Sequence, residues 1–359
     1  MNSRQRLLDV ASDADMPYAG APDLQARLER LKARLLADEA SLFAPAEVAL
    51  RELKGEPATE AHGACWFFVG RWHLIKIAYE AGNVCVAQAA AIARRAQDPL
   101  LLAKALKLLG GSLAEMGKPA EAVPVLLEAL ENARSARDGH QVSGVLVNLG
   151  LAQLYGARHG NAYECFEQAL HVLPANAPDL ARAVALINQG QLLLRIKEIQ
   201  RALDFLQAAR SFLTSPQSVE QVYAAVEIEL LLAQIRVAIG DIRQAQDHAA
   251  CARELAPGAG EGGRRMARLA SLLVNAHDTA TSDDTINALF AEVRRNKSRF
   301  ALYRISLDVA VMALQDVGRP EEALQFLREA AQLDLSLHVG VTSYALPTGI
   351  SGTRWGSMS

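Results

Sequence analysis

Apolar residues recur along most of this chain at positions i, i+3, i+4 and i+7, the stripe of an amphipathic helix. A slower rhythm runs on top of it. Leu106, Leu109 and Gly110 are followed by the run Gly117-Lys118-Pro119-Ala120-Glu121-Ala122, then by Leu126, Ala129 and Leu130. Leu146, Leu149 and Gly150 are followed by Ala162, Phe166, Ala169, Leu170 and Pro174, and Leu186, Gln189 and Gly190 by Ala202, Leu206 and Ala209. The small residue returns every 40 positions, at 110, 150 and 190, and a second returns 12 later, at 122, 162 and 202. Further units follow at Leu232, Ala233, Gly240, Ala245 and Ala252, and at Val311, Gly318, Pro320, Ala323, Leu327 and Ala330. Helices near 264–277 and 283–295 fill the gap between them. Trp72, Tyr79, Gly82, Ala87 and Ala91 form the first clear unit, and Ala/Leu/Arg patterns over 22–37 and 46–54 suggest another pair before it.

Each unit predicts two antiparallel helices. The recurring small residues sit where the two cross closely, since a larger side chain there would push the backbones apart. Gly117 and Gly318 punctuate the turn, and Pro119 and Pro320 open the second helix, where a missing N–H is tolerated. One such hairpin cannot bury its apolar face alone, but a stack buries a continuous core and forms a quasi-one-dimensional array. The fold expected is all-α: an α-α superhelix, a solenoid of about seven helical hairpins over residues 22–335, with a flexible segment at 1–21 and a non-helical tail at 336–359.

Composition agrees. Hydrophobic residues make up 51% of the 359, aromatic ones only 5%, and the abundant Ala, Leu, Glu, Arg and Gln lose little side-chain entropy in helices. The net charge of −3, with no concentrated Lys/Arg patch, argues against a general nucleic-acid binder. The N-terminus lacks the apolar stretch of a secretory signal, and no run of about 18 uncharged apolar residues exists, so no membrane association is expected and the protein should be soluble and cytoplasmic. Cys65, Cys85, Cys165 and Cys251 form no CxxC pair; in Ala-rich helical contexts they read as reduced, buried hydrophobes. Neither metal nor cofactor is implied.

The small-residue signature (Leu109-Gly110, Ala122, Ala129, Leu149-Gly150, Ala162, Phe166, Ala169 and Pro174) resembles the tetratricopeptide repeat (TPR) family over roughly residues 62–333. The family's first-helix Trp is mostly Leu here, and the period exceeds the usual one of about 34 residues. That lengthened form resembles the repeats of kinesin light chains, of bacterial peptide-sensing regulators and of bacterial sensor regions. The resemblance implies that the first helix of each unit lines a concave face. Inward-looking side chains then include Trp72, Lys76 and Tyr79, Lys104 and Lys107, Asn148, Leu151 and Tyr155, Asn188, Gln191 and Arg195, Gln234, and Asp308.

Asn148 and Asn188 stand at equivalent places, just before Leu149-Gly150 and Gln189-Gly190. In related peptide-binding arrays an Asn here holds the backbone of an extended peptide, and a carboxamide can meet a peptide C=O and N–H together. The alternative is that each asparagine bonds a neighbouring helix or water. Lys76, Lys104, Lys107 and Arg195 could attract an acidic peptide or a terminal carboxylate, or simply be solvated; Trp72 and Tyr79 could form an aromatic platform or pack in the core.

Catalytic motifs are missing. Gly258-Ala259-Gly260-Glu261-Gly262-Gly263 fits G-x-G-x-x-G literally, but follows a helix rather than a strand, and reads as a flexible loop between repeats. The chain is therefore expected to bind rather than to catalyse: a protein–protein interaction scaffold or adaptor that takes an extended peptide segment of a partner in its concave groove, in bacterial signalling or regulation. The alternative is a sensor whose curvature changes on binding a small molecule or signal peptide. The tail carries Tyr344, Leu346, Ile350 and Trp355; it could lie in the groove as a self-ligand, dock on a second copy to give a homodimer, or be a disordered end.

Overall fold

A computed structural model describes residues 60–75, 78–277, 283–297, 300–316 and 318–339. These form fourteen α-helices and no strand. The helices are α1 (Glu60–Ile75), α2 (Tyr79–Ala96), α3 (Pro99–Glu115), α4 (Pro119–Ser135), α5 (Gly139–Tyr155), α6 (His159–His171), α7 (Asp179–Arg195), α8 (Ile199–Phe212), α9 (Val219–Ala238), α10 (Ile242–Leu255), α11 (Gly260–Ala276), α12 (Asp283–Asn296), α13 (Phe300–Asp316) and α14 (Pro320–Val339). They pair in chain order into seven hairpins, and each hairpin packs on the next. The all-α superhelical reading holds. The helices expected over 22–37 and 46–54, the N-terminal segment 1–21 and the tail beyond Val339 lie outside the described residues. The tail was expected from 336, but α14 continues to Val339.

Local chemistry sets the helix ends. Asp98 and Asp138, at the same place in successive repeats, cap α3 and α5 by accepting from the N–H of Leu101 at 2.9 Å and of Gln141 at 3.0 Å. Ser218 and Gln221 form a reciprocal capping box on α9. Within hairpins, α3, α5, α7 and α9 end on a left-handed residue: Gly117, Ala157, Lys197 and Gly240, with φ of 73°, 56°, 67° and 79°. The next N–H then reaches back to a carbonyl one turn and a half earlier, as from Arg158 to Gln153 at 2.8 Å and Glu198 to Leu193 at 2.9 Å.

The recurring small residue has a direct steric cause. A Cβ built on Gly150 would lie 2.4 Å from the Phe166 ring, and one on Gly110 would lie 2.4 Å from Leu126. Gly190 faces Leu206 in the same way. Each first helix carries a notch, and the second helix of the same hairpin fills it with a large side chain. The set extends upstream to Gly70 and Val86, at 2.6 Å. That corrects the register of the first unit. Gly82 is the second small residue, packed on Leu74 and the Gly70 carbonyl, and Tyr79 opens α2 instead of lining α1. In the last hairpin the notch position is Val311 and the knob is Leu327, which is 48% exposed; a filled notch leaves the leucine outside.

The glycine run at 258–263 is not a loop. Ala256–Gly258 form a 3-10 turn and Gly260 begins α11. Gly262 and Gly263 are buried against Tyr223 and Ala259, where side chains would not fit.

Candidate functional site

The first helices of the hairpins share one inner side, and several inner contacts cross the hollow instead of running between neighbours. Phe300, at the start of α13, meets Tyr155 at the end of α5 edge-to-face, with ring centroids 5.2 Å apart. Phe300 also belongs to the buried cluster built mostly from α1 to α5. Arg195 on α7 reaches Asp308 on α13 at 3.7 Å. Arg71 on α1 approaches Glu220 on α9 at 4.0 Å. The array curls until its later hairpins touch its earlier ones.

Glu115, Tyr155 and Arg195 are the last residues of three successive first helices, α3, α5 and α7. They form a ladder along one rim of the hollow. Glu227 and Tyr223 face this ladder from α9. The carboxyl groups of Glu115 and Glu227 are each pushed up to about 7, chiefly by desolvation; for Glu227 the charge of Glu115 adds to the effect. Desolvation and the same two carboxylates also raise the Tyr155 and Tyr223 hydroxyls well above the ordinary tyrosine range. Yet both glutamates keep partial solvent access, and Tyr223 is 38% exposed. Groups that are densely surrounded but still wetted mark the wall of a concave recess.

The residues expected in the groove divide into three sets. Asn148 is half-buried on α5 and donates its side-chain N–H to the Lys107 carbonyl on α3 at 3.0 Å. A Cβ on Gly111 would lie 2.6 Å from this amide, so Gly111 makes room for it. Lys107 in turn donates from Nζ to Gln141 Oε1 at 2.7 Å. Lys104, Leu151 and Gln191 are likewise half-buried on first helices. In the second set, Asn188 is 7% exposed and turns its amide onto the Val184 carbonyl of its own helix at 2.8 Å. Gln234 is 4% exposed within α9. Tyr155 is covered by Phe300, and Arg195 is held by Asp308. Packing or pairing engages these four. The third set is undecided: Trp72 lies on α1 and nothing is described of its side chain, and Lys76 lies outside the described residues.

The two asparagines are therefore not a matched pair. One ties two first helices together and the other bonds back into its own turn. The cationic groove expected from Lys76, Lys104, Lys107 and Arg195 is also modified, because the recess carries the acidic pair Glu115 and Glu227 beside Arg195. Sequence reasoning missed that pair. The signal for Glu115 was present: it stands two places before the turn residue, as Tyr155 and Arg195 do.

No group of three or more potential metal ligands is found among the described residues. No helix among them is long and apolar enough to cross a membrane.

No protein-family model matches the sequence, and no curated protein sequence matches it. Solved structures do match. A Rap protein complexed with competence and sporulation factor superposes with a TM-score of 0.68 at 13% identity, covering 94% of this chain and 98% of that one. NprR in complex with its cognate peptide NprX gives 0.61 at 12% identity, over 92% of each chain. Aspartyl phosphate phosphatase F from Bacillus subtilis gives 0.60 at 11% identity, over 97% of this chain and 98% of that one. At such identities the likeness establishes a shared fold, the helical-repeat superhelix, along nearly the whole chain.

Proposed function

We propose that this chain is a regulatory adaptor that holds an extended peptide segment of a partner in the hollow of its superhelix, in bacterial signalling. The observation that carries the reading is the recess itself: a wetted inner wall where half-buried Lys104, Asn148, Leu151 and Gln191 stand on successive first helices. Groups spaced one hairpin apart suit a ligand that is itself extended, and Asn148 brings an acceptor oxygen beside the N–H it gives to Lys107. Support comes from two solved complexes of the same fold, the Rap protein with competence and sporulation factor and NprR with its cognate peptide. The activity proposed is binding, with function residing in the site and not in the fold.

A second reading, a sensor whose curvature responds to the ligand, is favoured by the contacts that cross the hollow. A peptide lying between α5, α7 and α13 would compete with the Tyr155–Phe300 and Arg195–Asp308 contacts, and separating them would change how tightly the superhelix curls.

Both readings are tested by equilibrating the protein with a defined mixture of synthetic pentapeptides and identifying the retained ones by mass spectrometry. The expected result is a restricted retained set that Asn148→Ala/Gln191→Ala loses. Retention of nothing, or of the same set by the variant, would refute the groove. Small-angle scattering with a retained peptide decides the second reading: an unchanged radius of gyration removes it.

A further inference from the structure

We propose that the arginines of the sixth hairpin, Arg264 and Arg268 on α11 with Arg294 and Arg295 on α12, form a docking surface for an acidic segment of a partner protein. The surface is separate from the groove residues on α3, α5 and α7, and it does not depend on what the hollow holds.

Three observations lead there. First, the fold gathers cations that the sequence scatters. Arg265 and Arg295 stand 30 residues apart in the chain, yet an N–H of the Arg265 guanidinium lies 3.5 Å from the Arg295 carbonyl and donates to Asn296 Oδ1 at 2.8 Å. Asn296 is fully buried and donates in turn to Ser306 on α13 at 2.8 Å. Arg265 thus ties the start of α11 to the end of α12 and brings the two arginine pairs onto one surface. Second, the carboxylates there are too few. Glu261 is shared between Arg265 at 2.8 Å and Arg264 at 3.2 Å. Glu292, 1% exposed, offers a single oxygen, Oε2, to both Arg268 at 3.3 Å and Arg295 at 3.2 Å. Each carboxylate balances one of its two arginines, and Arg294 is exposed beside them. Lys297 is matched by Glu329 at 3.5 Å, so it neither adds to the excess nor removes it. Third, the guanidinium heads are held yet open. The side chains of Arg264, Arg268 and Arg295 are 52%, 52% and 51% exposed. A guanidinium has five N–H donors in a planar fork, and a tether to one carboxylate leaves others facing water.

Two like charges kept side by side by one buried oxygen repel each other. An incoming carboxylate relieves that repulsion, and it meets side chains whose rotamer freedom is already reduced. The spacing suits a protein segment: Arg264 and Arg268 are one turn apart on α11, about 5–6 Å, close to the separation of alternate residues on one face of an extended chain. A nucleic acid fits less well. Its affinity comes from neutralising a long track of phosphates, whereas this surface spans one turn of α11 and the end of α12 in a chain of net charge −3.

The test uses the full chain and a labelled decapeptide of alternating Glu and Ala, with its Gln-for-Glu counterpart, read by fluorescence anisotropy. The Glu peptide is expected to bind about tenfold or more tightly than the Gln peptide, and to weaken as salt rises from about 50 to about 200 mM. Arg264→Gln/Arg294→Gln leaves the buried Glu292 paired; it should weaken the Glu peptide about fivefold or more with an unchanged urea midpoint. Arg95→Gln/Arg134→Gln removes two exposed arginines elsewhere and should leave binding unaltered. No binding of the Glu peptide, equal binding of the Gln peptide, or equal losses in the two double variants overturns the surface. A short oligothymidylate that binds more tightly than the Glu peptide, and is lost with Arg264→Gln/Arg294→Gln, overturns the assignment to an acidic protein segment in favour of a nucleic acid.

Discussion

Gly117 and Gly240 occupy the same turn position in their hairpins, with φ of 73° and 79°, yet their surroundings differ. A Cβ on Gly240 meets nothing within 4 Å, whereas one on Gly117 would lie 2.7 Å from the Phe300 ring. Alanine at either site carries the left-handed penalty of about 1–2 kcal/mol, a strain that Ala157 and Lys197 already bear at this position. Only at Gly117 must a buried ring also move. Phe300 is 9% exposed and stacks on Tyr155; the edge-to-face pair contributes about 0.5–1.5 kcal/mol beyond area burial. Gly117→Ala should therefore destabilise the protein by about 1–2 kcal/mol more than Gly240→Ala in urea unfolding, the clash adding to the lost ring contact. In a Phe300→Ala background the excess should shrink to about 0.5 kcal/mol or less, the level at which uncoupled sites add. Equal losses for the two glycines, or an excess that persists without Phe300, would refute the contact across the hollow.

Other expectations follow from the same geometry. Folded Glu115 and Glu227 hold their protons up to about 7 against an ordinary value of 4.5; between those values the folded state binds more protons than the unfolded, so stability falls as pH rises through that window and levels off above it. Urea midpoints measured from pH 4 to 8 should show this slope, and Glu115→Gln/Glu227→Gln should flatten it. Gly150→Ala forces a Cβ to within 2.4 Å of the Phe166 ring and should lower stability by about 1–3 kcal/mol, with part recovered by adding Phe166→Leu. Burial pushes the Cys65, Cys85 and Cys165 thiols up to about 12, so iodoacetamide at pH 8 should label the half-buried Cys251 first and the other three only as the protein unfolds, as peptide mass spectrometry will show.

The repeat was legible wherever packing is local. Gly150 and Phe166 belong to one hairpin, so their steric need is met within a single unit and is written again in each unit that follows. The register failed at Gly70 because the preceding Cys65-Trp66-Phe67-Phe68-Val69 is buried throughout and leaves no polar side to fix the phase. Gly262 and Gly263 misled for the opposite reason: glycines that suggest freedom stand where Tyr223 and Ala259 leave little room, and Gly260 opens α11 at a φ of 66°. The recess was not legible. Arg195 and Asp308 belong to hairpins with two others between them, and only the summed rotation of the intervening units brings them together. Glu227 was hidden in a helix apolar on nearly every side, where Ala224 to Ala233 are buried except Glu227 itself.

Because Phe300 is seated in the core of the first hairpins, this array has lost a freedom that linear arrays keep. Open solenoids grow or shrink by duplicating or deleting a unit, since each unit answers only to its neighbours. Here one extra hairpin between Tyr155 and Phe300 would carry the ring a full step along the spiral and strand it away from its partner. The number of units between those two residues is a fixed dimension of the molecule, and lineages of this chain should vary in side chains and turns while keeping that count.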